Sequence, residues 1–245
     1  MIVAAVLPGL PEIRAGDEQL GKIVAGRLAD DEVLVVAHKI VSKAEGRTVA
    51  LADIEPGNRA RELAAEHGKD ARAVEVILTE STEIVRSRPG VLICRTHHGF
   101  VCANAGVDAS NAPSRGELVL LPEDPDASAR ALRRRLRALS GVAPAIVVSD
   151  SFGRAWRIGQ TDVAIGIAGL APVDDWRGRR DGTGRELDAT IIAVADEAAA
   201  AADLARGKDS NEPVVLVRGL ERHVSDADGP GAAALIRARD EDLFL

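Results

Sequence analysis

Aromatic residues are nearly missing from this chain of 245 residues, which has no tyrosine, three phenylalanines and two tryptophans. Proteins that hold single-stranded nucleic acid stack its bases on aromatic side chains, so a binding surface of that kind is excluded. The formal net charge of −7 also argues against a non-specific nucleic-acid binder, whose surface is basic. Hydrophobic residues make up 46% of the chain, mostly aliphatic, which is enough for one large domain or two intimate lobes.

Cysteine and long apolar runs are also scarce. Cys94 and Cys102 are the only cysteines, and two cysteines eight residues apart cannot form a zinc knuckle. We expect both to be small buried side chains of a protein in a reducing compartment. The N-terminus lacks the basic region of a signal peptide, and no apolar run approaches the length of a membrane span. These features predict a cytoplasmic protein without a membrane or nucleic-acid partner.

The apolar pattern predicts a mixture of strands and helices, in an α/β or α+β fold. The stretch Val33–Ala37 is apolar on both faces, which is typical of a central strand. The helix predicted at residues 127–139 has Asp126 as its cap and a face of arginines that we expect to be solvated. Further strands are predicted at 2–7, 91–95, 118–121, 146–151 and 214–218, and further helices at 58–68, 71–85 and 188–206.

Two acidic turns predict a divalent-cation site. The segment at residues 93–111 is rich in small residues and ends with Asp108 and Asn111, and the strand at 146–151 ends with Asp150 and Ser151. Carboxylate, amide and hydroxyl oxygens are the ligands that Mg²⁺ and Mn²⁺ prefer. Taken singly, each aspartate is more often a turn or cap residue than a ligand.

A basic segment follows the strand Val33–Ala37. Lys39, Lys43 and Arg47 recur every four residues, so on a helix they would share one face and could grip phosphates. The alternative is a solvated basic face. The position directly after a buried strand favours a ligand site, although no Walker A pattern is present.

Other side chains could extend this site. His97 and His98 form an adjacent pair that could supply ligands or bases. Arg154 and Arg157 flank Trp156 shortly after the second acidic turn, and guanidinium groups there would suit a phosphate-bearing substrate. The residues alone therefore indicate a metal- and nucleotide-dependent enzyme, without naming its reaction.

Four longer motifs resemble one known family. They are KIVSKAEGR (39–47), GFVCANAGVDASN (99–111), VVSDSFGRAWRIGQTDVAIGIAGL (147–170) and DGTGREL (181–187). In this order they are similar to the coenzyme F420:L-glutamate ligases, the γ-glutamyl ligases called CofE in archaea and found as the N-terminal domain of FbiB in actinobacteria. The similarity covers essentially the whole chain.

The resemblance implies a fold and a reaction. The family fold is α+β, with mixed and antiparallel sheets, packed helices and an intertwined homodimer. Its members add L-glutamate, and then further γ-linked glutamates, to a deazaflavin precursor while GTP is converted to GDP and phosphate, by way of an acyl phosphate. The reaction requires manganese or magnesium and is assisted by potassium.

The resemblance also implies site residues. GTP would contact Gly9, Leu10, Pro11 and Glu12, then His38, Lys39 and Lys43, and finally Asn111; the metal ligands would be Asp108, Asp150 and Ser151; no catalytic residue is implied. One departure is the segment 206–208, Arg-Gly-Lys where archaeal members have Met-Gly-Gln. The ammonium of Lys208 cannot ligate a cation as an amide oxygen can, but it can meet a phosphate.

A second departure is the length of the chain. The two-domain members continue into a nitroreductase-like domain, whereas this sequence stops at Leu245, either as a free-standing ligase unit or as a truncated one. Two other functions stay open: a nucleotide-dependent carboxylate–amine ligase with another acid, and a non-catalytic nucleotide-binding module.

Overall fold

The computed structural model describes residues 1–16, 21–22, 25–110 and 112–242, and its largest sheet has five strands. Only the strands at residues 33–37 and 145–154 run parallel, and the other three pairings in this sheet are antiparallel. This mixed sheet, with the helices packed on it, confirms the predicted α+β class and the central position of residues 33–37. In spatial order the strands are β1 (Val3–Val6), β12 (Val214–Arg218), β2 (Val33–Ala37), β8 (Ala145–Arg154) and β9 (Arg157–Ala168).

The sheet is central because its strands are apolar on both faces. Val33, Leu34, Val35 and Val36 are all completely buried. Leu34 and Val36 belong to a core cluster that includes residues of helix α4 (Pro125–Ser140), while Val33 and Val35 belong to a second cluster that includes residues of helix α5 (Val194–Ala205). Each helix therefore covers a different face of the same sheet.

Helix α4 corrects two expectations about its charged residues. Its N-cap is Asp124, which accepts a hydrogen bond from the backbone N–H of Ala127, while Asp126 accepts bonds from Ile167 and Ala232. The arginine face is not wholly solvated either, because the Arg133 side chain is only 5% exposed and contacts Asp228 at 2.9 Å. The sequence shows the arginines of this helix, but it does not show that a loop covers Arg133.

Close packing requires glycine at two positions near the end of β9, Gly166 and Gly169. A Cβ atom at Gly166 would lie 2.2 Å from the carbonyl oxygen of Pro125, so only glycine allows β9 to reach the start of α4. At Gly169 the neighbour is instead the Arg133 guanidinium, 2.4 Å from such a Cβ, and the backbone φ of +77° also favours glycine.

A second group of elements packs around a smaller core. The sheet of β4 (Ser81–Arg88), β5 (Val91–Thr96) and β6 (Val101–Ala103) lies with helices α2 (Asn58–His67) and α3 (Ala71–Thr79). The helix predicted at 71–85 thus ends at Thr79, and residues 81–85 belong to β4, where they pair with β5. Cys94 and Cys102 are buried free thiols on opposing strands, as expected for small core side chains.

The remaining elements connect these two groups. Helix α1 (His38–Ala44) begins directly at the end of β2, and β3 (Thr48–Ala50) pairs with β7 (Glu117–Val119). The predicted helix 188–206 begins only at Val194, because residues 191–192 form β11 (Ile191–Ile192), which pairs with β10 (Asp174–Asp175). Within the described ranges, no helix combines the length and apolar character needed to cross a membrane.

Candidate functional site

A cleft of about 680 Å³ opens where the parallel pairing of β2 with β8 ends, at Ala37 and Ser149, while β8 itself continues to Arg154. In many α/β proteins, ligands bind beyond the carboxyl ends of paired parallel strands. The wall comes from the end of β2, from α1, from the end of β8, from β9 and from the segment after α5. Its charged side chains are Glu12, Lys39, Lys43, Asp108, Asp150, Asp162, Arg206, Lys208 and Glu212, with His38 beside them.

Helix α1 places two of the three predicted basic residues in the cleft. Lys39 and Lys43 are one helical turn apart and both line the wall. Lys43 is 8% exposed, and its ammonium lies 2.7 Å from Glu12 Oε1. Arg47 is beyond the end of the helix and turns away, donating to Glu80 and to the carbonyl of Leu121. The predicted shared face therefore consists of two lysines, not of all three residues.

Asp108 is held at the cleft by Lys39. The Lys39 ammonium lies 2.5 Å from Asp108 Oδ2, and Ser110 donates to the same carboxylate from its N–H and its hydroxyl. Burial alone would raise the pKa of Asp108, but the bonds from Lys39 and Ser110 hold that pKa below its ordinary value. Asp108 is therefore an anion in the cleft.

Asp150 is the second predicted carboxylate at the cleft, and it lies inside β8, which continues past the predicted strand end at residue 151 to Arg154. His38 Nε2 is buried and faces Asp150 Oδ1 at 3.3 Å, while its Nδ1 lies 3.3 Å from the Ser42 hydroxyl. Burial would raise the pKa of Asp150, whereas the contact with His38 and the bond from the Ser151 N–H lower it, and the net pKa lies below the ordinary value. His38 thus contacts Asp150, a predicted metal ligand, and its own predicted contact with the nucleotide stays a prediction.

Asp162 on β9 is a charged residue of the cleft that the sequence did not reveal. It pairs directly with Ser151 in the β8–β9 ladder and accepts hydrogen bonds from the hydroxyls of Ser149 and Ser151 and from Arg206. The side chain is 1% exposed, so these partners, and not water, satisfy its oxygens. A single aspartate inside the apolar run of residues 161–171 was the available signal.

The predicted turn at residues 9–12 lies at the mouth of the cleft. Leu10, Pro11 and Glu12 line the wall, whereas Gly9 only forms the bend before it, with φ of +87°. Asn111 lies outside the residues that the structure describes, and its predicted contact stays a prediction.

Several other candidates lie elsewhere. His97 Nε2 bonds to the carbonyl of Thr79 and His98 Nε2 to the carbonyl of Pro122, so both imidazoles join loops and neither lines the cleft. Arg154 donates to the carbonyl of Ile158 at the tip of the β8–β9 hairpin, away from the cleft wall. Gln160 on the same hairpin does line the cleft.

The carboxylate oxygens of the cleft suit a hard cation that binds together with phosphates. Among the described residues, no three His, Cys, Asp or Glu side chains are grouped closely enough to hold a metal by themselves. Asp108 and Asp150 nevertheless line one cleft, and Mg²⁺ commonly uses one or two carboxylates with water and substrate phosphates. The residues therefore fit a metal bound jointly by protein and nucleotide.

Comparison with known proteins gives one consistent family. Residues 9–219 match the profile of the family described as F420-0:Gamma-glutamyl ligase. The chain is 47% identical to the coenzyme F420:L-glutamate ligase of Methanopyrus kandleri, over 95% of this chain and 93% of that protein. It is 43% identical to the same-named protein of Methanothermobacter thermautotrophicus, over 96% of both chains. It is 42% identical to the same-named protein of Haloarcula marismortui, over 96% of this chain and 92% of that protein.

Proposed function

The chain belongs to the F420-0:gamma-glutamyl ligase family, and from that premise we propose that it adds L-glutamate to a deazaflavin coenzyme precursor at the expense of GTP. The first glutamate is joined to a carboxylate of the precursor, and further glutamates are joined through γ-linkages.

One observation carries the proposal: cationic side chains and carboxylates line the same cleft and lie next to one another along its wall. Lys39, Lys43 and Lys208 supply ammonium groups, while Asp108 and Asp150 supply anionic oxygens. Phosphoryl transfer is catalysed mainly by positioning and by stabilising the charge of the phosphates, and this cleft contains the groups for both tasks. Its volume of about 680 Å³ lies within the range of small-molecule sites.

The proposed reaction has two steps. A carboxylate oxygen of the precursor attacks the γ-phosphorus of GTP, the bond to the β,γ-bridging oxygen breaks, and GDP leaves with that electron pair. The amine of glutamate then attacks the acyl carbon, phosphate leaves, and the amine loses its proton to form the amide. Lys39 and Lys43 would hold the phosphates and reduce the repulsion between two anionic reactants.

A divalent ion, Mn²⁺ or Mg²⁺, is part of the proposal. When bound, it would supply Lewis-acid polarisation of the phosphate oxygens. Asp108 and Asp150 would hold it, with His38 keeping the Asp150 carboxylate in place. Ser151, the third predicted ligand, lies next to Asp150, and its hydroxyl oxygen accepts a hydrogen bond from Lys208. Potassium is proposed as an additional activator.

The β8–β9 hairpin supports the proposed homodimer. Its tip carries Ile158, which is fully exposed, and Trp156, which is 79% exposed. Large apolar side chains projecting from one hairpin are typical of an interaction site, and a second copy of this chain is the partner that we propose.

The experiment is mass spectrometry of the deazaflavin precursor after incubation with the chain, L-glutamate, GTP and Mn²⁺. We expect products heavier by one or more glutamyl units, and no product when GTP or metal is left out. Replacing GTP with ATP tests the choice of nucleotide. Bound GTP and Mn²⁺ without any change in the mass of the precursor would contradict the proposed acceptor.

A further inference from the structure

The segment after helix α5 places an ammonium group among buried oxygens. Lys208 Nζ lies 2.6 Å from the hydroxyl oxygen of Ser151, 2.9 Å from Asp203 Oδ1 and 3.7 Å from Asp162 Oδ1. The three oxygens come from β8, α5 and β9. Hard cations are likewise bound by several oxygens from different parts of a chain.

The carboxylates around this ammonium need positive charge. The Asp162 side chain is 1% exposed, and Arg206 and Lys208 are its two cationic neighbours. Asp203 Oδ1 is buried and accepts no hydrogen bond from the described residues, so the ammonium at 2.9 Å supplies its electrostatic compensation. Two carboxylates are thus balanced by two cations, and removing one cation would leave a buried negative charge without a partner.

The hydroxyl of Ser151 acts as both donor and acceptor in the same group. It donates its single proton to Asp162 Oδ1 and accepts from Lys208 Nζ, both at 2.6 Å. The proton of the hydroxyl therefore points toward Asp162, and an oxygen lone pair is directed at the ammonium. That lone pair is what a metal ion would otherwise use.

We propose that Lys208 is a cation built into the chain: its ammonium fills an oxygen-lined subsite formed by Ser151, Asp162 and Asp203, and the protein takes neither a free metal ion nor potassium at that position. The Lys208 side chain is 65% exposed along its length, so the subsite is open to solvent from the lysine side. A free cation can reach it once the ammonium is removed.

The test counts Mn²⁺ ions bound per chain, using electron paramagnetic resonance of the free ion and no substrate. The variants are Lys208→Met, which keeps an unbranched side chain without charge, and Lys208→Arg, which keeps the charge. Lys69→Met, after helix α2 and outside the cleft wall, loses the same charge and is the matched control. We expect Lys208→Met to bind one more Mn²⁺ than wild type, and the other two variants to match wild type.

A second arm replaces Mn²⁺ with potassium and measures the melting temperature in KCl and in choline chloride at equal ionic strength. A cation that binds only the folded chain raises its melting temperature. If Lys208→Met melts at a higher temperature in KCl than in choline chloride and wild type does not, the subsite has bound a monovalent ion. If Lys208→Met binds an additional Mn²⁺, the subsite has bound a divalent ion, and either result supports the proposal. The proposal is overturned if Lys208→Met equals wild type in both arms, or if Lys69→Met gains the same ion. Since no substrate is present, this outcome is independent of whether the chain ligates glutamate.

Discussion

Ser151 donates its hydroxyl proton to Asp162, its direct partner on the neighbouring strand of the β8–β9 hairpin, over 2.6 Å. The same carboxylate accepts from Ser149 and Arg206. Asp162 therefore holds Ser151 of β8 on one side and Arg206, in the segment after helix α5, on the other.

Asp162→Asn should strongly destabilise the protein. The substitution keeps the size of the side chain but leaves the Arg206 guanidinium, which is 9% exposed, without its anionic partner. Loss of one member of a buried ion pair costs about 3–5 kcal/mol. Urea unfolding would measure this decrease in the free energy of unfolding. The control is Glu55→Gln, which removes an exposed pair with Arg61 and should change the free energy of unfolding little. Equal effects of the two substitutions would mean that the ion pair of Asp162 does not stabilise the fold.

Asp150→Ala should abolish ligation and leave the protein folded. Its carboxylate is one of the two that would hold the metal with the phosphates, and loss of such an electrostatic group lowers turnover by about 10²–10³-fold. The amount of glutamylated product measures activity, and circular dichroism checks the fold. Full activity in this variant would remove Asp150 from the metal site.

Lys43→Ala should raise the concentration of GTP required. A hydrogen bond to a charged group is worth about 1.5–3 kcal/mol, which corresponds to about a tenfold to hundredfold increase in the KM for GTP. Steady-state rates at varied GTP would show it, with Lys69→Ala as the control outside the cleft. An unchanged KM would mean that the Lys43 ammonium serves only its contact with Glu12.

Asp70 should make one end of helix α3 sensitive to acid. It is the N-cap and accepts from the backbone N–H and the guanidinium of Arg72, and these hydrogen bonds lower its pKa from 3.8 to about 2. Because the folded pKa is below the unfolded one, the stabilisation is fully present above about pH 4 and is lost as the pH falls toward 2.

Two variants separate the cap from the charge at this position. Asp70→Ala should lower the free energy of unfolding by about 1 kcal/mol at pH 7, as loss of an N-cap does, and by much less at pH 2. Asp70→Asn can still cap the helix without a charge, so it should remove most of the pH dependence that Asp70 contributes to the free energy of unfolding. Denaturant unfolding at several pH values would measure both; a constant difference between wild type and Asp70→Ala across the range would contradict the role of the charge.

Ile158→Asp should separate the proposed dimer into monomers. The side chain is fully exposed at the hairpin tip, so a charge there does not disturb the core of one chain but would be buried at an interface. Size-exclusion chromatography with light scattering would give the mass. Wild type that is monomeric at the concentration of the assay, or a variant with the same mass as a dimeric wild type, would contradict the proposal.

The sequence predicted the parts of the site that depend on local pattern. The apolar run at residues 33–37 predicted a central strand, and the position of Lys39 directly after it favoured a ligand site, where Lys39 does line the cleft. Asp150 was predicted at the end of a strand; it lies inside β8 and lines the same cleft. Asp162 was missed because its partner Arg206 is 44 residues away in the chain. Arg133 was assigned to a solvated face for a similar reason, because the carbonyl of Asp226 and the carboxylate of Asp228, more than 90 residues away, accept its hydrogen bonds. Local pattern does not show which charged side chains tertiary contacts bury.

The pairing of the charged groups in the cleft has a consequence for how ligands are accepted. Lys39 already neutralises Asp108, and Lys43 already neutralises Glu12. A polyphosphate alone that bound Lys39 would leave Asp108 without its cationic partner, and a metal ion alone that bound Asp108 would leave Lys39 without its anionic partner. Nucleotide and metal together replace the partner that each displaces, so in the proposed reaction the binding of one would favour the binding of the other.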